Sequence, residues 1–119
     1  MLDIALERSA SAVLARAVRA VRETIRSDIG FAAVADGRGR YPLALRDGLR
    51  DPRWATVNVA AGQGLGGRVL AEERLRVTDD YLDDLMISGD FRPIAEAEGM
   101  RGLACVPVVG PTGITALVL

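Results

Sequence analysis

The glycines at residues 62–67 are the residues whose types and spacing most clearly suggest chemistry. Gly62, Gly64 and Gly67 match the pattern G-x-G-x-x-G, and Val69 extends the match to the glycine loop of protein kinases. Such loops hold the phosphates of a nucleotide against backbone N–H groups at the start of a helix. The pattern on its own therefore indicates a nucleotide-binding enzyme.

The residues around the glycines exclude a dinucleotide site. Such a site needs a strand before the loop, a long helix after it and an acid about 20 residues further on for the ribose. Residues 55–60 are suitable for the strand, but the helix that follows can continue only to about Glu73, because residues 75–78 favour an extended chain. Asp79 and Asp80 come too early to meet a ribose.

Kinase and P-loop chemistry is excluded by the absence of lysine. Both need a lysine on the phosphates, whereas all 15 basic residues of this chain are arginine. The glycines are better explained by a tight turn, in which they adopt positive φ angles and let backbone approach backbone. Leu65, Val69 and Leu70 then form the apolar face of a short helix.

The composition excludes further classes of function. The chain has 119 residues, 50% of them hydrophobic, and a net charge of −1, so it predicts one domain without a nucleic-acid surface of its own. It has no histidine and one cysteine, which excludes Ser-His-Asp and Cys-His catalysis and nearly all catalytic zinc sites. We therefore predict no catalytic residues, no metal and no cofactor.

The same sequence predicts a cytoplasmic setting without membrane contact. No apolar run approaches the 18 residues that a membrane helix needs, and the N-terminus carries charges that a signal peptide lacks. A single cysteine also fits a reducing compartment.

The hydrophobic pattern predicts helices and strands in a definite order. An amphipathic helix over residues 2–27 is followed by strands over residues 29–35 and 41–46, with a hairpin turn at residues 36–39. A third strand over residues 55–60 leads into the glycine helix, and residues 75–78 are extended. A second short helix is expected over residues 91–98, with Asp90 as its N-cap, and strands over residues 103–109 and 114–119 complete the order. The final strand ends on Ala-Leu-Val-Leu with nothing to cover it, which favours a single domain over residues 1–119 that is truncated at its C-terminal end.

This order resembles the GAF domain, a small-molecule sensing module of bacterial regulators. The sequence GQGLGGRV at 62–69 is similar to the family's helix start, and Val-Thr-Asp at 77–79 is similar to the end of one of its strands. The turn at 98–101, followed by Cys-Val-Pro at 105–107, is similar to its central strand, although Gly102 stands where the family often has serine. The resemblance implies an α+β fold: an antiparallel sheet with a long N-terminal helix on one face and short helices and loops roofing a pocket on the other.

The resemblance also implies which residues bind the ligand. The pocket would be walled by one face of strand 103–108 and by a set that supplies apolar contacts and a few polar groups: Leu65, Arg68, Val69, Tyr81, Phe91, Arg101 and Cys105. From the residues alone, Tyr81 and Phe91 also fit plain core, and Arg101 also fits a structural ion pair.

Cys105 has two further interpretations. Its strand of Leu, Ala and Val favours a small buried hydrophobic residue. Some nitric-oxide-sensing GAF domains hold iron with carboxylates, a tyrosine and a cysteine, and Asp79, Asp80 and Tyr81 supply similar residue types. The position of Cys105 relative to the proline differs from theirs. GAF-type methionine sulfoxide reductases use several cysteines, and this chain has one.

The resemblance implies a sensor that is not an enzyme. We expect the ligand-binding domain of a transcriptional regulator, from a GC-rich bacterium such as an actinobacterium, with a helix-turn-helix output domain elsewhere. An unidentified small molecule would bias a homodimer formed through residues 2–27. Two alternatives stay open: a GAF fold that serves only for dimerisation, and the sensor domain of a histidine kinase.

Overall fold

The computed structural model describes residues 12–20, 22–23 and 29–119. Residues 12–20 and 22–23 are helical and form α1. The helix predicted over residues 2–27 is confirmed where it falls within these ranges, and its other residues lie outside the described ones. The elements that follow are β1 (Gly30–Val34), β2 (Tyr41–Asp47), β3 (Asn58–Val59), α2 (Gly64–Glu72), β4 (Arg76–Thr78), α3 (Arg92–Glu98), β5 (Leu103–Gly110) and β6 (Gly113–Val118). Two 3-10 turns, Pro52–Thr56 and Gly89–Phe91, precede β3 and α3.

The six strands form one antiparallel sheet in the order β3-β2-β1-β6-β5-β4. The two hairpins, β1–β2 and β5–β6, meet at the centre where β1 pairs with β6, with Ala33 opposite Leu117. The predicted turn at residues 36–39 closes the first hairpin and a turn at residues 110–113 closes the second, and Gly37, Gly39 and Gly113 have the positive φ that such turns require. The antiparallel α+β fold predicted from the sequence is confirmed.

Alternation along the central strands gives the sheet two apolar faces. Phe31 and Ala33 pack into the main core with α2, α3 and the loop before α3. Between them Ala32 points to the other face, where it packs with Val18 of α1 and Val118 of β6. The sheet is thus a single layer between α1 and the helices that carry the candidate site.

Two predicted boundaries differ from the structure. The strand expected over residues 55–60 contains only Asn58–Val59, because Asp51 accepts a hydrogen bond from the Arg53 N–H and starts the 3-10 turn Pro52–Thr56. Asp90 does not cap α3. Its carboxylate instead accepts a hydrogen bond from the Ser88 hydroxyl, and α3 begins after Phe91 without a side-chain cap.

Among the described residues, no helix is long and apolar enough to cross a membrane.

Candidate functional site

The glycine loop places the start of α2 directly against its neighbours. Gly62 and Gly64 adopt positive φ angles of 87° and 63°. A Cβ on Gly64 would lie 2.7 Å from the Phe91 ring and 2.8 Å from the Tyr81 hydroxyl, so the missing side chain is the space that these two aromatic residues occupy. The predicted roles of these glycines, left-handed backbone and close approach, are confirmed.

The N–H groups at the start of α2 bond to the loop of residues 79–91, which we call the roof loop. The Gly64 N–H donates to the Ser88 hydroxyl at 2.9 Å, and the Leu65 backbone hydrogen-bonds to the Tyr81 hydroxyl. The Gly67 N–H already donates to Gln63 within the helix. These bonds hold the roof loop on α2 and engage the N–H groups that the nucleotide pattern would have assigned to phosphate.

A cavity of about 30 Å³ lies beneath the roof loop. Its sheet side comes from side chains of the strands and of residue 119: Phe31, Leu43, Val59, Leu103 and Leu119. Its other walls come from the segment between β2 and β3, α2, the roof loop, α3 and the turn after α3: Trp54, Val57, Leu65, Gly66, Tyr81, Phe91, Ala95 and Met100. By volume this space holds roughly one or two water molecules.

Three of the seven residues predicted to bind ligand line this cavity: Leu65, Tyr81 and Phe91. Val69 and Cys105 are fully buried in the same core but do not line it. Two arginines lie elsewhere. Arg68 forms an ion pair with Glu72 at 2.6 Å, and Arg101 is exposed while its carbonyl accepts a hydrogen bond from the Tyr81 N–H at 2.7 Å.

Trp54 and Met100 are cavity residues that the sequence did not identify. Trp54 packs against Phe31 with ring centroids 5.4 Å apart, and its indole N–H donates to Glu98 at 3.3 Å. The only sequence signal for Trp54 was a lone tryptophan after an Asp-Pro turn, which predicts a covering role and no particular partner. Met100 follows the turn at Gly99 that ends α3, and the Gly99 φ of 67° directs the chain back toward the sheet.

Glu98 fastens the Trp54 segment to the end of α3. One carboxylate oxygen accepts hydrogen bonds from the backbone N–H groups of Arg50 and Asp51, at 2.8 and 2.5 Å, and from the Trp54 indole. Burial raises the pKa of Glu98, but the hydrogen bonds from Asp51, Arg50 and Trp54 outweigh it and hold the pKa below its ordinary value. The carboxylate therefore stays ionised at neutral pH.

We predict that Glu98→Ala lowers the free energy of unfolding by about 1–3 kcal/mol, because three donors lose a shared acceptor. Glu98→Gln keeps the acceptor oxygen and should cost less. Because the pKa of Glu98 is lower in the folded state, the ionised carboxylate stabilises the fold at pH values above the unfolded-state pKa of about 4.3. This contribution is lost as the pH falls below that value and through the folded-state pKa. Urea unfolding from pH 7 to pH 3 should show the extra loss in the wild type and not in the glutamine variant; equal losses would contradict this role.

Tyr81 and Cys105 are both neutral at physiological pH. Burial raises the pKa of Tyr81 to about 12, against the opposing hydrogen bond from Leu65. Burial alone raises the pKa of the Cys105 thiol to about 12. In the described part of the chain, no group of three or more His, Cys, Asp or Glu side chains could hold a metal ion.

The Cys105 thiol should therefore react slowly in the folded chain. We predict that a thiol-specific disulfide reagent labels native protein at least roughly 100-fold more slowly than urea-unfolded protein at pH 8, because both access and thiolate are lacking. Absorbance of the released reagent thiolate follows the rate. Fast labelling of folded protein would show that this strand opens readily.

Comparison with solved structures identifies the fold. The chain is similar to the GAF domain of an Acinetobacter phosphoenolpyruvate-protein phosphotransferase, at 19% identity and a TM-score of 0.68, over 88% of this chain and 60% of that one. It is similar to a Staphylococcus aureus NreA protein mutated in its nitrate-binding site, at 16% identity and a TM-score of 0.69, over 97% of this chain and 83% of that one. It is also similar to the type II free methionine-R-sulfoxide reductase of Thermoplasma acidophilum, at 16% identity and a TM-score of 0.72, over 95% and 74% of the two chains.

The chain therefore has the fold of a GAF domain. It spans 60% and 62% of the phosphotransferase GAF chains from Acinetobacter and Coxiella burnetii. No protein-family model and no curated protein matches the sequence. The fold is used both by proteins that bind small molecules and by enzymes, so the function has to be argued from the site.

Proposed function

We propose that this chain is a small-molecule-sensing regulatory domain whose ligand binds beneath the roof loop. The observation that carries the proposal is the cavity between the sheet and α2, enclosed by the roof loop and α3. Leu65, Tyr81 and Phe91 would contact the ligand. A similar protein, the staphylococcal NreA, has a nitrate-binding site, which supports ligand sensing by this fold.

A change in packing caused by the ligand would be transmitted to α1 through a single layer of sheet. Phe31 lines the cavity, and the next residue, Ala32, packs on Val18 of α1. On β6, Leu117 lies in the main core and Val118 packs on the same α1 side chain. A ligand that displaces Phe31 would therefore shift the surface on which α1 rests, and its differential affinity for the two positions would set the signal.

We further propose that α1 carries this signal into a homodimer through residues 2–27 and on to an output domain such as helix-turn-helix, in a cytoplasmic transcriptional regulator. Val13, on the described part of α1, is 60% exposed, which suits a surface that a partner covers. Val13→Glu should then convert a dimer to a monomer by light scattering, whereas Arg38→Glu, a charge change in the exposed turn between β1 and β2, outside residues 2–27, should not. Identical masses for both variants and the wild type would count against this interface.

The proposal includes no catalytic role. The reductases of this fold are enzymes, but the one cysteine here is fully buried and its thiol pKa is raised to about 12. A nucleophilic cysteine needs an accessible thiolate. These features support a sensor and not a redox enzyme.

Titration calorimetry and a thermal-shift screen with nucleotides, aromatic acids and common metabolites test the ligand. A binding compound should raise the melting temperature of the wild type. Ala95→Val adds two carbons to the cavity wall and should abolish the response. Ala97→Val lowers helix propensity by the same amount, but on the exposed side of α3, and this variant should keep the rise in melting temperature on ligand binding. A response that survives Ala95→Val would place the ligand elsewhere.

The small volume of the cavity favours one alternative, a GAF fold that serves only for dimerisation. A space of about 30 Å³ admits no metabolite unless the walls move. A dimer that binds none of the screened compounds, even after the cavity is enlarged by mutation, would support this second function and reject the first.

A further inference from the structure

The walls of the cavity indicate the chemical class of its ligand. Apart from Tyr81 and Trp54, every side chain that lines it is hydrocarbon or thioether. The Trp54 indole N–H is already bonded to Glu98. The Tyr81 hydroxyl lies beside Gly64, where it meets the Leu65 backbone, and a phenol that accepts one hydrogen bond still has its own proton to donate.

Among the described residues, no charged side chain lines the cavity, and three arginines around it are paired with carboxylates. Arg68 pairs with Glu72, Arg53 with Asp51 at 2.6 Å, and Arg92 with Glu96 at 3.1 Å. The N–H groups of Gly64 and Leu65, which would attract an anion, bond to Ser88 and Tyr81. An ion in this cavity would lose its hydration and gain no opposite charge from the lining, which is strongly unfavourable.

The volume of the cavity indicates which side chain must move. Apolar cavities that admit benzene measure about 150 Å³, several times the present space. Phe91 is the half-buried ring of the lining, at the join between the roof loop and α3. Its ring packs against Gly64, which has no side chain, and Phe91 belongs to the roof loop and to none of the paired strands, so it can swing outward without breaking a strand pairing.

We propose that the ligand is a neutral, mainly apolar molecule of about one aromatic ring with a single hydrogen-bonding group, which enters by displacing Phe91 and meets the Tyr81 hydroxyl. This inference rests on the proposed sensing function and deepens it. The ring of the ligand replaces the contacts that Phe91 makes in the cavity lining, and its polar group accepts a hydrogen bond from the Tyr81 hydroxyl. Ser88, three residues before Phe91 in the same loop, carries the hydrogen bond that holds the roof loop to α2, so outward movement of Phe91 would strain that bond.

Four probes of similar size test, on the 119-residue chain, whether the cavity prefers neutral ligands to charged ones. Toluene and phenol are neutral at pH 7, whereas benzoate and benzylammonium carry one charge of either sign. Trp54, which is the only tryptophan and lines the cavity, reports binding by its fluorescence with excitation at 295 nm, and calorimetry checks the affinity. We expect saturable binding of the two neutral probes and at least tenfold weaker binding of the two ions.

Variants test the entry route and the polar contact. Phe91→Ala should bind toluene at least fivefold more tightly, because no ring has to be displaced. Leu85→Ala changes an apolar side chain of the same loop that is 98% exposed, and should leave toluene binding unchanged. Tyr81→Phe should weaken phenol at least threefold relative to toluene.

The failures of the inference and of the sensing function are distinguishable. If benzoate or benzylammonium bound beneath the roof loop as tightly as toluene, the neutral-ligand rule would be overturned while the sensing function would stand. If Phe91→Ala did not strengthen toluene binding, the entry route would be overturned. If neither these probes nor the screened metabolites bound to the wild type or to Phe91→Ala, the sensing function would fail as well.

Discussion

Gly67→Ala should lower the free energy of unfolding by about 2 kcal/mol, although alanine favours helices by up to about 1 kcal/mol over glycine. The added Cβ would lie 2.5 Å from the carbonyl oxygen of Ala60 and 2.9 Å from the carbonyl carbon of Gly62. Both contacts are backbone, so no side chain can turn aside to relieve them. The chain after β3 would have to move, and with it the hydrogen bond from the Gly62 N–H to the Gly67 carbonyl.

Gly66→Ala is the matched control for this change. It has the same helix benefit, but its Cβ would meet only the ends of the Leu117 and Val59 side chains, each at 3.2 Å. Its stability should stay within about 1 kcal/mol of the wild type. Urea unfolding should separate the two variants by about 1 M in midpoint. Equal midpoints would show that the loop at 60–62 yields freely and that Gly67 is not required for close packing.

This contrast explains why the glycine pattern misleads as a nucleotide signature. A nucleotide loop needs glycine so that backbone can approach phosphate. Here Gly67 approaches the backbone of residues 60–62, and Gly64 admits the rings of Tyr81 and Phe91. The same residues at the same spacing satisfy both requirements. In the sequence, the missing lysine and the short helix distinguished a packing turn from a nucleotide-binding loop, and the glycines did not.

The order of elements could be predicted because local signals determine it. Asp36, Gly37 and Gly39 define a hairpin turn whatever surrounds them, and the structure has that turn with Asp36 accepting from the Arg38 N–H at 2.7 Å. The error at Asp90 has a tertiary cause. The Asp90 carboxylate accepts a hydrogen bond from Ser88 instead of capping α3, and Ser88 is itself bonded to Gly64 at the start of α2.

The lining of the cavity could be predicted only in part, because it depends on depth along an element and on distant partners. Leu65 and Val69 are one helical turn apart and both face the sheet, yet only Leu65 reaches the cavity. Trp54 lies there because Glu98, far along the chain, holds its indole. Neither relation leaves a periodic signal in the sequence. The resemblance to a known fold supplied Tyr81 and Phe91, and the structure supplied Trp54.

Leu65→Ala should have the largest effect on both stability and binding. Leu65 is 1% exposed and lines the cavity, so its truncation should cost about 2–5 kcal/mol and enlarge the cavity toward the size that admits benzene. Benzene should then restore part of the loss. At a concentration 100 times its dissociation constant the gain is about 2.7 kcal/mol, and the melting temperature of the variant should rise with benzene far more than that of the wild type.

Val69→Ala separates a specific cavity from general weakening of the core. Val69 is fully buried on the same helix but does not line the cavity, so its truncation should destabilise the chain without a larger benzene response. Calorimetric melting with and without benzene measures both variants, and Leu65→Val replaces Leu65→Ala if the latter does not fold. If benzene stabilised the two alanine variants equally, the space beneath the roof loop would be no better a binding site than any other void in this core, and the sensor proposal would lose its structural basis.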